Sequence, residues 1–72
     1  MKARIIAKSE LKLSSLTREY TFDIISDSGD VVLNSQVISA RPSEVVGQLQ
    51  ILVSEYQAVY EEANDIGVGE EI

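Results

Sequence analysis

Twelve carboxylates and nine serines are the most abundant side chains here with a capacity for chemistry, because the chain contains no histidine and no cysteine. Paired carboxylates trade a proton as general acid and base, or share a cation through their oxygens. Asp27 and Asp30 flank Ser28-Gly29 and are the pair best spaced to hold a cation. Calcium takes about six to eight oxygens, however, and this segment offers two carboxylates with no glutamate following in register. Asp and Gly are also what a tight turn selects for its own geometry, and the turn accounts for them. None of the serines stands in a G-x-S-x-G frame, and without histidine no side chain is a ready base near neutrality. The usual ligands of zinc, haem and iron–sulfur clusters are missing, as is any thiol nucleophile. These absences predict a protein that is not an enzyme and carries neither metal nor cofactor.

Charge is distributed unevenly along the chain. Residues 1–41 hold all six cations (Lys2, Arg4, Lys8, Lys12, Arg18 and Arg41) against five carboxylates, a net +1. Residues 42–72 hold seven carboxylates and no cation, a net −7, which brings the whole to −6. A split of this kind acts on partners through the field rather than on the fold. It predicts a protein partner with a basic surface and argues against nucleic acid, whose phosphates the uncompensated carboxylates would repel.

Seventy-two residues suffice for one domain with one small core. A chain of that length buries only about 60% of its unfolded surface, so association with a second copy would help it. No apolar run approaches the roughly 20 residues that span a bilayer. Met1 to Lys8 has cations but no sustained apolar stretch, which predicts no secretory signal and a cytoplasmic setting.

The elements that must position these side chains follow from periodicity. Residues 2–13 alternate, with Ala3, Ile5, Ala7, Leu11 and Leu13 on one face and Lys2, Arg4, Lys8, Glu10 and Lys12 on the other. Ile6 alone breaks the pattern. That is a half-buried strand with a basic outer face, and a short helix over 9–16 is the competing reading. Residues 17–26 alternate again, placing Tyr20, Phe22 and Ile24 together, and Val31 to Ser39 form a third run. Between them, Asp27-Ser28-Gly29-Asp30 predicts a hairpin. A three-residue loop would place Asp23 opposite Leu33. A two-residue loop at Ser28-Gly29 (or a four-residue one of the same parity) would pair Ile24 with Leu33, Phe22 with Ser35 and Tyr20 with Val37, keeping the apolar sets on one face. Asp27 would then face Asp30.

Pro42 and Ser43 open a helix predicted over 43–65, with Ser43 as a candidate N-cap and Gly67 as the stop. Val45, Leu49, Leu52, Tyr56, Val59 and Ala63, with Val46, Val53 and Tyr60 beside them, fill an arc of about 140° on a helical wheel. The expected fold is α+β: a three-stranded antiparallel meander with one long C-terminal helix on one face, a β-β-β-α domain over 1–66 and a flexible acidic tail over 67–72.

The stretch Tyr20-Thr21-Phe22-Asp23-Ile24, then Gly29-Asp30-Val31-Val32-Leu33-Asn34-Ser35-Gln36, running through Ser43 into a helix, resembles the small β-β-β-α units of the YegP-like family. The resemblance covers residues 20–53. It implies the fold and dimerisation but no activity, and the long acidic helix end departs from the family pattern.

Two sets of helix residues are the candidate sites. Gly47, Ile51, Ser54 and Ala58 fall within about 60° of one another, away from the core stripe. Small residues around one protruding Ile suit packing against a second copy, so these predict self-association. Glu44, Glu55, Glu61, Glu62 and Asp65 predict an acidic partner-binding face, since carboxylates near a helix C-terminus oppose the dipole and are costly without a purpose. The first reading is therefore a cytoplasmic, non-enzymatic protein-interaction module acting as a homodimer. The alternative is an acidic DNA-mimicking inhibitor of a nucleic-acid-binding protein, of phage or mobile-element type. Only Glu44, Glu55 and Glu62 form a row, which is thin for mimicry of phosphates.

Overall fold

The computed structural model describes residues 1–63 and 65–72. Strands β1 (Lys2–Lys8), β2 (Arg18–Ile25) and β3 (Val31–Ala40) precede helix α1 (Val45–Glu62). They form one antiparallel sheet in the order β1-β2-β3, so each strand pairs with its sequence neighbour and β2 lies in the centre. This is the α+β meander with one C-terminal helix that the alternating and helical periods predict.

The core sits between the central strand and the first half of the helix. Tyr20, Phe22 and Ile24 alternate along β2 and share one face, as a period of two requires. Phe22 is 1% exposed and Ile24 fully buried. Val45 and Leu49 of α1 and Ala40 at the end of β3 complete the buried cluster. Leu52, Val53 and Tyr56 pack against it half-buried, with Met1, Ala3, Val32, Leu33 and Ile38 from the sheet. Val46, Val59 and Tyr60 are exposed, so the apolar stripe is wider and longer than the sheet that receives it.

The helix is shorter than its sequence pattern at both ends. Pro42, Ser43 and Glu44 form a turn in which the Glu44 and Val45 N–H groups donate to the Arg41 carbonyl. Glu44, not Ser43, is the N-cap, and its side chain makes no capping bond. The helix closes at Ala63, whose N–H donates to the Val59 carbonyl. The predicted stop at Gly67 is therefore several residues late, and Asp65 lies beyond the helix.

The β2–β3 register corrects the expectation in an instructive way. The loop has three residues, Asp27-Ser28-Gly29, closed by the Ser26 N–H on the Asp30 carbonyl at 2.8 Å and the Gly29 N–H on the Ser26 carbonyl at 2.9 Å. Gly29 takes φ 91°, the left-handed position that ends such a turn. Ile25 then faces Val31, and an irregularity at Val32 restores the expected Ile24–Leu33 pair. A second extra residue, at Asn34-Ser35, shifts the rest by one more, giving Phe22–Gln36 and Tyr20–Ile38. Val37, expected beside Tyr20 in the apolar set, instead pairs with Thr21 and is exposed on the opposite face.

Asp23 is what the second bulge is built around. It is buried, its Oδ1 accepts the Ser35 N–H at 3.0 Å, and Arg4 on β1 lies across the sheet with its guanidinium 3.8 Å away. Ser35 sits at φ 53°, a region that costs a residue with a Cβ about 1 kcal/mol or more. Ser35→Gly keeps the backbone N–H for Asp23 and removes the clash. It should raise stability by roughly 0.5–1 kcal/mol, read from urea midpoints at constant slope. An unchanged or lower midpoint means that the bulge is not strained.

β1 carries its own irregularity. Ile5 pairs with Phe22 and Ala7 with Thr21, so Ile6 is the extra residue. The bulge reverses parity. Lys2 and Arg4 oppose Ile25 and Asp23 on the face away from the helix, whereas Lys8 opposes Tyr20 on the other. The expected single basic face of Lys2, Arg4, Lys8 and Lys12 is thus broken. Past Lys8 the chain is neither strand to Leu13 nor helix over 9–16. One bridge joins Lys12 to Thr17, and the Leu16 N–H closes onto the Lys12 carbonyl with Leu16 at φ 61°. Leu11, Leu13 and Leu16 are exposed on this tip. The described chain measures 55 × 23 × 16 Å, long for its size.

Candidate functional site

Helix α1 presents the self-association residues together on its outward side. Gly47, Ile51, Ser54 and Ala58 are all exposed, and Ile51 is 65% exposed at the centre of the set. The Ser54 hydroxyl donates back to the Gln50 carbonyl at 3.0 Å, which satisfies it without any outside partner. A methyl group at Gly47 would meet nothing within 4 Å. No neighbour in the chain requires glycine there, although mid-helix Gly costs about 1 kcal/mol relative to Ala.

The acidic residues divide into four settings. Glu44 caps the helix, Glu55 and Glu62 stand exposed along the same line further down, and Glu61 accepts a hydrogen bond from the Gln57 side chain at 2.8 Å. Asp65 leaves the line, because its Oδ1 accepts the N–H of Ile66 at 2.8 Å beyond the helix end. The predicted acidic face therefore consists of four helix-associated residues, with Asp65 in the segment that follows. No basic residue lies in the last helical turn to offset the dipole.

Asp27 and Asp30 do not face each other as the shorter loop would have required. Asp27 accepts the Met1 ammonium at 2.8 Å, and the same ammonium donates to Gln57 Oε1 at 2.9 Å. One group thus ties β1 to both the β2–β3 turn and the helix. The hydrogen bond and charge of that ammonium hold the Asp27 carboxyl below its ordinary range. The link therefore gains strength above the ordinary aspartate pKa and is lost as pH falls through the lowered one. Asp27 is exposed, so the gain is screened by solvent. Asp30 accepts the Ser28 hydroxyl at 3.1 Å. Among the described residues no three carboxylates gather at one point.

Two features escaped the sequence reading. One is a groove of about 500 Å³ along β1, lined by Ala3 and Ile5 on the strand and by Val46, Leu49 and Val53 on the helix. The other is the Arg18 Nε at the start of β2, opposite Ala40, buried and without a hydrogen-bond partner among the described residues. No described helix is long and apolar enough to cross a membrane. Comparison with known proteins adds no relationship: no family model matches the chain, and no curated protein or solved structure is significantly similar to it.

Proposed function

We propose that this chain is a non-catalytic protein-interaction module that works as a homodimer and offers an acidic helix face to a basic partner. The observation that carries the reading is Ile51, 65% exposed amid Gly47, Ser54 and Ala58. Small residues on either side of one apolar knob allow a second helix to approach closely. Burying Ile51 against a copy contributes about 1.5–3 kcal/mol on each side. A cytoplasmic setting belongs to the same proposal.

Glu44, Glu55 and Glu62 supply the charge. They act mainly on the rate of encounter, because exposed carboxylates steer a basic surface more than they hold it. Their spacing favours a protein partner over the DNA-mimicking alternative. Along the helix the gaps are about 16 and 10 Å at 1.5 Å per residue, whereas duplex DNA carries a charge about every 1.7 Å of its axis.

The test is sedimentation of the parent chain and Ile51→Glu across micromolar concentrations. The parent should be dimeric at the upper end, and the variant monomeric with an unchanged melting curve, since the side chain touches nothing in the core. A parent chain that stays monomeric throughout overturns the dimer.

A further inference from the structure

We propose that the free edge of β1 accepts the C-terminal segment Ile66–Ile72 of a second copy as an added strand. The edge is available: in the order β1-β2-β3, only one side of β1 is paired. Both outer strands have such an edge, but they are not equivalent. β3 is interrupted at Val32 and at Asn34-Ser35, and bulges of that kind blunt an edge. On β1, residues Lys2 to Ile5 pair without interruption ahead of the single bulge at Ile6. The apolar groove beside this stretch offers Ile5, Val46 and Val53, all of them at least partly exposed.

The occupant is identified by charge and by pattern. The bulge sends Lys8 to the helix side of the edge and leaves Lys2 and Arg4 on the other, so cations flank the edge on both faces. Lys2 and Lys8 make no ion pair among the described residues. The segment Ile66-Gly67-Val68-Gly69-Glu70-Glu71-Ile72 is the complement. Its even positions place Ile66, Val68 and Ile72 on one face of an extended strand with Glu70, and Glu71 on the other. One carboxylate thus goes to each side of an edge that has cations on each side, while three apolar side chains face the groove.

Within its own chain this segment finds no such surroundings. It turns on itself through the Glu70 N–H on the Gly67 carbonyl, and Val68 and Ile72 are fully exposed. A second copy provides the missing edge. The groove shares Ser54 with the outward helix face but not Gly47, Ile51 or Ala58, so a change at Ile51 distinguishes the two modes of association.

The absence of cysteine makes the experiment direct. Ile72→Cys carries a single nitroxide label, and this unlabelled-nitrogen protein is mixed with full-length ¹⁵N chain lacking the label. Amide signals of Lys2 to Ala7 in the ¹⁵N copy should lose most of their intensity, while those of β3 keep theirs. The loss should recede at high salt, as screened charge pairs require, and in a ¹⁵N copy carrying Lys2→Gln and Lys8→Gln. It should persist when the ¹⁵N copy carries Ile51→Glu, which separates this contact from the helix-face dimer. Broadening confined to Gly47–Ala58, or no broadening at all at millimolar concentration, overturns the proposal. So does broadening of β1 only when label and ¹⁵N share one chain, which would assign the edge to the chain's own tail.

Discussion

Phe22→Ala should leave the domain largely unfolded at room temperature. Phe22 is 1% exposed in the central strand, with β1 on one side, β3 on the other and the helix across its face. Truncating a buried Phe costs about 3–5 kcal/mol, through lost transfer energy and the cavity left behind. A domain this small holds a total near the lower end of the usual range of about 5–15 kcal/mol, so one such loss removes most of it. Urea unfolding followed by circular dichroism gives the result directly. Val37→Ala is the matched control: it directly follows Gln36, the cross-strand neighbour of Phe22, but faces solvent, and it should shift the midpoint by only a few tenths of a kcal/mol. Equal midpoints for the two variants would mean that the sheet buries its other face.

The second large effect separates two positions that the helical wheel treats alike. Leu49 and Val59 belong to the same apolar stripe in sequence, yet Leu49 is 7% exposed and Val59 is 63% exposed. Leu49→Ala should cost roughly 2–5 kcal/mol, whereas Val59→Ala should change stability by less than about 0.5 kcal/mol. Tyr56, half-buried between them, should fall in the middle. Comparable losses at Leu49 and Val59 would require the whole length of the helix to be packed, in conflict with the overhang.

The contrast marks what periodicity can and cannot convey. Alternation in residues 17–26 and the spacing of four and three after Val45 identify which side chains share a face, because backbone geometry dictates it. They do not say how far the facing surface extends. Val46, Val59 and Tyr60 fit the stripe but overhang a sheet too narrow to cover them. Register is harder still. Parity arithmetic assumes an unbroken ladder, and this sheet has irregularities at Ile6, Val32 and Asn34-Ser35. Ile24–Leu33 emerged as expected because one bulge compensates for the longer loop, while Phe22–Ser35 and Tyr20–Val37 did not because another follows. The broken alternation at Ile6 was visible in the sequence. The burial of Asp23 was not: a carboxylate on the polar side of a strand gives no sign that a backbone N–H in the bulge opposite will claim it.

The candidate surfaces were legible to a similar depth. The sequence placed Gly47, Ile51, Ser54 and Ala58 on one exposed helix side, since that needs only the helical angle. It puts Asp65 on the acidic face because the pattern extends the helix to residue 65, whereas local hydrogen bonding at Ala63 ends it sooner. The β1 groove arises only from bringing strand and helix together, so no single segment announces it.

The contact between the Met1 ammonium and Gln57 has a consequence for the order in which the chain closes. The two strand pairings join neighbours across residues 9–17 and 26–30, and loop-closure entropy separates these hairpins by only about 0.5 kcal/mol. Bringing Met1 to Gln57 spans 56 residues and costs about 2 kcal/mol more than the shorter hairpin if made first. Once β1 is paired to β2 and the helix has settled on Phe22, most of that loop is already closed. The clasp across the ends of the fold is therefore inexpensive only as a late event, and it locks an arrangement that the hydrophobic face of β2 has already chosen.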